Sequence, residues 1–483
     1  MPVFKKIMGS DERDEKMDLL WVHLDREATT PLYEQLYLHV KKEITSGRID
    51  HGTKLPSKRK LAEFLKVSQN TVESTYNQLV AEGYVEVLPR KGFFVQAYEQ
   101  LDYAPVSSQH TTTSVADSPP IRFNFHPTHI DTRYFPFDKW RKYVRQVVDQ
   151  SNQQLLLLGH ASGDQPFRQE IANYLYHSRG VQCTWEQVVI GAGMETLVQQ
   201  LFLLFGKKSV YGIEDPGYQL MRKLLRHHPH EFYPFTVDEE GVDVQALTQS
   251  PVNIMYTTPS HHFPYGAVLS VNRRQQLLKW AEEKNDRFII EDDYDSEFRY
   301  SGKTIPSLQS MDKHHKVIYV GSFSKSLIPS ARLSYMVLPQ TLIERYNNLF
   351  SFHHSTVSRI DQHVLTLFMQ AGDFEKHVNR MRKLYRRKRD IVLQAMKPYE
   401  NQLSIIGERS GLHIVVVIKN GMSEEELVQA ANDVQVKVYP LSHYTIEQQV
   451  SQHPRIVLGF ASIPEEQLEE AVTTVLHAWK YMK

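Results

Sequence analysis

The chain has 483 residues, more than one compact core usually needs, and this length predicts two or three domains. Lys plus Arg and Asp plus Glu balance at 56 each, so no global field favours nucleic acid or a membrane, and DNA binding must rest on a local patch. The one cysteine, Cys183, excludes a disulfide framework and a cysteine-rich zinc site. The sequence begins without a signal-peptide pattern and has no run of about 18 apolar residues. We therefore expect a cytoplasmic protein that does not span a membrane.

The segment 31–95 has the pattern of three helices followed by a two-stranded wing. Apolar residues recur at helical spacing in three stretches, and two short stretches with strand-like alternation flank a turn of Pro, Arg, Lys and Gly. The predicted elements are helices over 32–44, around 61–65 and from about 68 to 83, and strands over 84–88 and 93–95.

Polar and basic residues of this segment fall where a helix-turn-helix contacts DNA. A serine N-cap would leave the first turn of the third helix exposed to base edges and phosphates. Cations at the start of the second helix suit a phosphate, and cations at the tip of the wing suit the minor groove. The candidate DNA-contacting residues are Lys58, Arg59, Ser68, Gln69, Asn70, Thr71, Arg90 and Lys91. For a three-helix pattern alone, a solvated helical bundle is the simpler interpretation.

The stretches 55–62, 67–72 and 79–85 together resemble the GntR family of winged helix-turn-helix regulators. The resemblance implies a DNA-binding domain within residues 1–96, preceded by a short N-terminal segment. Members of the family often have Arg just after the serine that starts the third helix, whereas this chain has Gln69. The fold therefore follows from the resemblance, but the preferred DNA sequence does not.

The remainder of the chain predicts a linker and a larger domain. Residues 97–120 are rich in Ser and Thr and close on two prolines, which is typical of a flexible linker. From 121 to 483, short apolar runs alternate with helical patterns and predict a largely parallel α/β sheet. Apolar runs near the end of the chain indicate a smaller subdomain from about 395 to 483. The predicted strands are 188–190, 210–213, 254–256, 288–290 and 317–320, with 412–418 and 455–460 in the subdomain.

The segment 321–326, Gly-Ser-Phe-Ser-Lys-Ser, provides the groups that a phosphorylated aldehyde cofactor needs. An aldehyde needs an amine for a Schiff base, and its phosphate needs hydroxyls, amides and a cation. Lys325 would provide the amine, Ser322 and Ser324 the hydroxyls, and Arg332 the cation. Taken alone, such a lysine is more often a solvated side chain.

Four further segments follow predicted strands, at the end where α/β sheets place ligands: 191–196, 214–218, 258–266 and 291–294. Asp292 is suited to pair with a protonated pyridine nitrogen, and Tyr294 to bond a phenolic oxygen. Gly193 and Met194 would offer backbone amides at the start of a helix to a phosphate. Tyr218 is placed to stack on a ring. Each segment also has a plain interpretation, such as helix capping for the acidic pair that includes Asp292.

In this order, the strand-end segments resemble a fold-type I aminotransferase over residues 121–483. A GntR-type winged helix joined to such a domain is the signature of the MocR subfamily, which includes GABA-responsive regulators. The resemblance implies pyridoxal 5'-phosphate (PLP) held as an internal aldimine on Lys325. It also implies a head-to-tail homodimer whose winged helices read repeated half-sites on double-stranded DNA. The residues it assigns to the cofactor are Lys325, Asp292, Tyr294, Tyr218, Gly193, Met194, Ser322, Ser324 and Arg332.

The sequence departs from the aminotransferase pattern near its last predicted strand. Amino-acid aminotransferases usually clamp the substrate carboxylate there with an arginine, but the corresponding position is Val457. The candidate effector-binding residues are His443, Arg455 and His262. No metal site is predicted, because no further His, Asp or Glu stands at ligand spacing from the loop histidines. A simple α-amino acid held by a bidentate arginine is therefore not the expected effector, and GABA is not favoured.

Three functions are compatible with these features. The favoured one is a PLP-dependent regulator that senses a small amino compound by aldimine exchange at Lys325, with a shift between arrangements of its DNA-binding arms. The first alternative is a PLP-dependent aminotransferase with an accessory DNA-binding domain, and the second is a regulator that responds to PLP itself. A winged helix is not needed for catalysis, and the absent clamp disfavours efficient turnover. We expect at most a residual transaminase half-reaction.

Overall fold

The computed structural model describes residues 20, 22–96, 120–238, 240–302, 305–446 and 453–481. The predicted linker at 97–120 lies outside the described residues except for its last residue, and so does most of the N-terminal segment. Contacts between residues divide the chain into two compact units, Met1–Asp117 and Ser118–Lys483. The predicted boundaries at 96, 120 and about 395 remain predictions.

The first unit has the predicted helices and the predicted wing. Serine side chains start two of its helices, because the Ser57 oxygen accepts from the Lys60 amide and the Ser68 oxygen accepts from the Thr71 amide. The side chains that face inward at helical spacing form one core with the wing. The elements are α1 (Leu32–Thr45), α2 (Lys58–Leu65), α3 (Gln69–Ala81), β1 (Val85–Leu88) and β2 (Gly92–Val95).

The wing is an antiparallel hairpin in which Val85 pairs with Val95 and Leu88 pairs with Gly92. Val85 and Val95 point into the core and are buried. Arg90 lies in the connecting turn with a φ of 63°, in the left-handed region that tight turns require. This conformation places the exposed Arg90 and Lys91 at the tip of the wing.

The second unit is built on a mixed sheet that, among the described residues, has the strand order β4-β11-β10-β9-β8-β5-β6-β7. The five central strands, from β10 to β6, run parallel, and the other pairs are antiparallel. The prediction of a largely parallel α/β sheet is therefore confirmed. The strands are β4 (Val188–Gly191), β5 (Tyr211–Asp215), β6 (Phe232–Asp238), β7 (Gly241–Val242), β8 (Ile254–Thr257), β9 (Phe288–Asp293), β10 (Val317–Ser322) and β11 (Ser334–Val337).

Helices pack against this sheet, and side chains of the helices and of the strands together form its hydrophobic cores. This arrangement explains why the central strands read as continuous apolar runs without alternation. The helices are α4 (Phe137–Val147), α5 (Gln165–Arg179), α6 (Met194–Phe205), α7 (Gln219–His227), α8 (Val244–Thr248), α9 (Val271–Glu282), α10 (Gln340–Leu349), α11 (Arg359–Gln370) and α12 (Asp373–Met396).

The C-terminal part adds a smaller antiparallel sheet with the strand order β12-β13-β16-β15. A short strand at the start of the unit, β3, pairs in parallel with β14 near its end, a pairing that the sequence does not predict. In the described ranges, no helix combines the length and apolar character needed to cross a membrane. The remaining elements are β3 (Phe123–Asn124), β12 (Leu403–Ile406), β13 (His413–Ile418), α13 (Glu424–Asp433), β14 (Val436–Lys437), β15 (Tyr439–Pro440), β16 (Arg455–Gly459) and α14 (Glu465–Ala478).

Candidate functional site

One cavity of about 200 Å³ lies in the second unit and gathers residues from the ends of several strands. Parallel strands end at the same edge of a sheet, so segments far apart in the sequence meet there. Eight of the nine predicted cofactor residues line this cavity, and Gly193 lies against it through Arg332. The lining residues that were predicted are Lys325, Asp292, Tyr294, Tyr218, Met194, Ser322, Ser324 and Arg332.

Lys325 provides a half-buried amine in the cavity wall. Its Nζ donates a hydrogen bond to the carbonyl oxygen of Thr128. Loss of water around the ammonium lowers the pKa of Lys325 to about 8, and the Asp295 carboxylate opposes this shift. The neutral amine, which is the form that attacks a carbonyl carbon, is therefore far more abundant near physiological pH than it is for an ordinary lysine.

Asp292, at the end of β9, is a buried carboxyl with one unused oxygen. Its Oδ2 accepts a hydrogen bond from Tyr256, whereas its Oδ1 has no partner among the described residues. Burial raises the pKa of Asp292 to about 7; the Tyr256 hydrogen bond opposes the rise, and nearby carboxylates, first Asp293, add to it. An unpartnered buried acceptor is costly, and a protonated ring nitrogen is a group that would satisfy it. The residues present thus fit a pyridine ring in this cavity.

Tyr294 and Tyr218 line the same cavity. The Tyr294 hydroxyl lies 3.0 Å from Nδ1 of His261, and the same nitrogen lies 2.9 Å from the Asp295 carboxylate. Burial raises the pKa of Tyr218 to about 12, and the negative charges of Asp292 and Glu195 add to the rise. Sequence reasoning missed Asp295 and the role of His261, because neither has a signal beyond its closeness to a predicted segment.

Hydroxyl groups cluster at the end of β10. Oγ of Ser322 lies 2.9 Å from Oγ of Ser324 and 3.1 Å from Oγ of Ser334, and the Ser324 amide donates to Ser322 Oγ at 3.1 Å. All three serines line the cavity. Ser334 was missed because it begins a strand (β11) with no motif around it. The cluster offers several donors to one oxyanion.

Arg332 lines the same cavity and forms an ion pair with Glu195 in the first turn of α6. Gly193 precedes that helix with a φ of 96°, in the left-handed region that favours glycine. A Cβ there would also meet the end of the Arg332 guanidinium. The first-turn amides of α6, beginning at Met194, have no acceptor within the helix. Guanidinium, hydroxyls and amides together match the donor set for a phosphate, and the Glu195 carboxylate is paired with that guanidinium.

The predicted effector residues lie elsewhere, since none of the three appears among the described residues that line the cavity. His443 is exposed, and its backbone oxygen accepts from Gln219. Nη1 of Arg455 donates to the Tyr265 hydroxyl at 2.6 Å. His262 is fully buried. Neither of its ring nitrogens has a hydrogen-bond partner in the described part of the chain. Burial lowers the pKa of His262 to about 3.

The predicted DNA contacts form an exposed group on the first unit. Ser68 caps α3, and Gln69 and Asn70 are exposed on the first turn, with Thr71 half-buried behind them. Arg59 is exposed.

The cations of α2 also have neighbours that the sequence did not indicate. Lys58 bonds Glu73 at 2.6 Å, and Arg59 lies 3.2 Å from Glu63. These carboxylates are themselves partly exposed, so both pairs are weak. The cations therefore remain available to a phosphate.

Each of the two units matches a known protein family. Residues 32–95 match the gntR family of bacterial regulatory proteins, and residues 129–475 match aminotransferase class I and II. The aminotransferase match covers most of the chain. The molecule is thus a DNA-binding regulator in which a winged helix-turn-helix domain is fused to a domain with the aminotransferase fold. Aminotransferases of class I and II are PLP-dependent.

Relatives and solved structures agree with this class. An uncharacterised helix-turn-helix regulator of Bacillus subtilis, YdeL, is 44% identical over 95% of this chain and 98% of its own length. A probable rhizopine catabolism regulatory protein of Rhizobium meliloti, MocR, is 31% identical over 94% of this chain and 95% of its own. The kynurenine aminotransferase of Pyrococcus horikoshii matches 75% of this chain and 91% of its own, with a TM-score of 0.67 and 22% identity, which shows the fold alone. The chain belongs to the MocR-type transcription regulators of the GntR family.

Proposed function

We propose that this protein is a PLP-dependent transcription regulator that senses a small amino compound at Lys325. The observation that carries the proposal is the meeting in one cavity of Lys325, the Arg332 guanidinium and Oδ1 of Asp292, which has no hydrogen-bond partner among the described residues. An amine, an acceptor for a ring nitrogen and a phosphate-type donor set are together the three anchors that PLP requires.

Each residue has a distinct role in this proposal. Lys325 would provide the attachment point, Asp292 would hold a proton on the ring nitrogen, and Tyr294, oriented by His261, would donate to the phenolic oxygen. Ser322, Ser324, Arg332 and the amides after Gly193 would hold the phosphate. PLP would supply an electrophilic carbon that can bond either to the amine of Lys325 or to the amine of an effector.

The cavity supports sensing better than it supports transamination of amino acids. Besides Arg332, the described residues that line it include no arginine to clamp a carboxylate, and Arg455 is bonded to Tyr265 outside it. Leu220 and Phe263 give the cavity an apolar wall. We infer an amino compound whose remaining groups are at least partly apolar. A transaminase half-reaction remains the second candidate function, because the amine and the ring-nitrogen acceptor are both in place.

The first unit would bind DNA. Gln69, Asn70 and Thr71 would read base edges in the major groove, and Lys58 and Arg59 would neutralise phosphates, with Arg90 and Lys91 at the minor groove. A homodimer, head-to-tail as in aminotransferases, would present two such units to repeated half-sites. A DNA-binding regulator of this kind acts in the cytoplasm.

The experiment measures DNA affinity of the full chain on half-site repeats selected from a random duplex library. Fluorescence anisotropy would compare apo protein, protein with PLP, and protein with PLP plus each member of a panel of amino compounds, at fixed salt. We expect at least one compound to shift the affinity only when PLP is present, and Lys325→Ala to abolish that shift. An equal shift in Lys325→Ala contradicts the proposal. A shift caused by PLP alone, with no further effect of any amine, identifies PLP as the signal instead.

A further inference from the structure

Glu195 places a carboxylate among the phosphate donors that line the cavity. It is the second residue of α6, lines the cavity, and forms an ion pair with Arg332. An acidic residue in the first turn of a helix is ordinary, because it complements the helix dipole. The pairing with Arg332 is not ordinary, since that guanidinium is the cation of the phosphate donor set.

A phosphate entering this cavity meets Glu195 in two ways. It must share or take over the Arg332 guanidinium, and its negative charges repel the Glu195 carboxylate at short range. The side chains of Arg332 and Glu195 are 47% and 42% exposed, so water screens both effects and each is modest. The carboxylate also cannot donate a hydrogen bond to a phosphate oxygen, whereas the amide of a glutamine can.

We infer that Glu195 is an internal competitor for the phosphate of the cofactor, and that it lowers the affinity of the protein for PLP. This inference rests on the proposed function and adds a consequence to it. In the apo protein, Glu195 compensates the charge of Arg332; in the loaded protein, it weakens the phosphate contact. Half of the protein is then loaded at a higher free PLP concentration than it would be without the Glu195 carboxylate.

The test titrates PLP into apo wild type, Glu195→Gln and a control, Glu344→Gln, and follows absorbance. Glu344 lies on α10, is exposed and does not line the cavity, so the control makes the same charge change elsewhere. We expect Glu195→Gln to bind PLP about two- to fivefold more tightly, as loss of a partly exposed charge interaction predicts, and the gain to shrink at high salt. Glu344→Gln should match the wild type.

Pyridoxal, which lacks the phosphate, locates the effect. If Glu195 acts on the phosphate, the wild type and Glu195→Gln bind pyridoxal equally. Equal PLP affinities of these two proteins, or the same gain with pyridoxal as with PLP, overturn the inference while leaving the proposed function standing. Failure of every protein to take up PLP overturns the proposed function itself, so the two failures are distinguishable.

Discussion

The two units present their functional groups in opposite ways. In the first unit, Gln69 and Asn70 stand exposed on a small apolar core and are in contact with solvent. In the second unit, Asp292 is only 3% exposed, and burial shifts the pKa of both Asp292 and Lys325. Exposed groups can be changed one at a time with little effect on folding, whereas buried groups depend on partners. The difference separates mutations that alter function alone from those that also alter stability.

The largest expected effect is on the free energy of unfolding, and it compares an arginine-to-methionine substitution in each of the two units. Arg179 is buried in the second unit, with Nε 2.6 Å from Oδ2 of Asp293 and Nη2 2.5 Å from Oγ of Ser260. Arg179→Met leaves Asp293 uncompensated and should lower the free energy of unfolding by about 3–5 kcal/mol. Arg59→Met, at an exposed side chain of the first unit, should change it by less than about 0.5 kcal/mol. Chemical denaturation measures both, and similar losses would contradict the contrast.

Asp292→Ala is the next largest effect. Loss of a hydrogen bond to a charged ring nitrogen costs about 1.5–3 kcal/mol, so PLP affinity should fall more than tenfold in an absorbance titration. Asp138→Ala is the control, because its side chain is 95% exposed and it lies outside the cavity. Full retention of PLP by Asp292→Ala would mean that another carboxylate holds the ring nitrogen.

The pKa of Lys325 gives a pH dependence of intermediate size. Because the folded chain lowers this pKa to about 8 from 10.5, the unfolded chain binds more protons between these values. The free energy of unfolding therefore increases as pH rises from about 8 to 10.5, because the cost of burying a charged lysine is lost. The neutral amine is the reactive form, so the rate of covalent PLP capture should rise about fivefold from pH 7 to 8 and level off above pH 9. A rate that keeps rising steeply to pH 10 would indicate an unshifted lysine.

Arg59→Ala should have the smallest effect. Removal of one phosphate contact should weaken binding to all DNA sequences alike and reduce the slope of log affinity against log salt by about 1. Lys42→Ala is the control, because Lys42 is exposed on α1 and is not among the predicted contacts. Identical salt slopes for Arg59→Ala and the wild type would remove Arg59 from the interface.

The sequence predicts the location of residues that directly follow a strand, because the position of the strand in the sheet fixes where they lie. The meeting of Lys325 and Asp292 in one cavity could be predicted, because both follow apolar runs and the ends of parallel strands meet at one edge. The pairing of β3 with β14 was not predictable, because it joins residues at opposite ends of the unit. The ion pair of Glu195 with Arg332 depends on side-chain packing between distant segments. No periodic pattern encodes such a contact.

Attachment of PLP to Lys325 is tested by an absorbance spectrum of the purified full chain with PLP, before and after borohydride, followed by mass mapping of the reduced adduct. A lysine-bound pyridoxal group gives a band at about 420 nm, as the chemistry of the cofactor dictates. We expect this band, its loss on reduction, and an adduct on Lys325 alone that is absent from Lys325→Ala. A protein that takes up no PLP, or whose adduct maps to another lysine, would contradict this attachment.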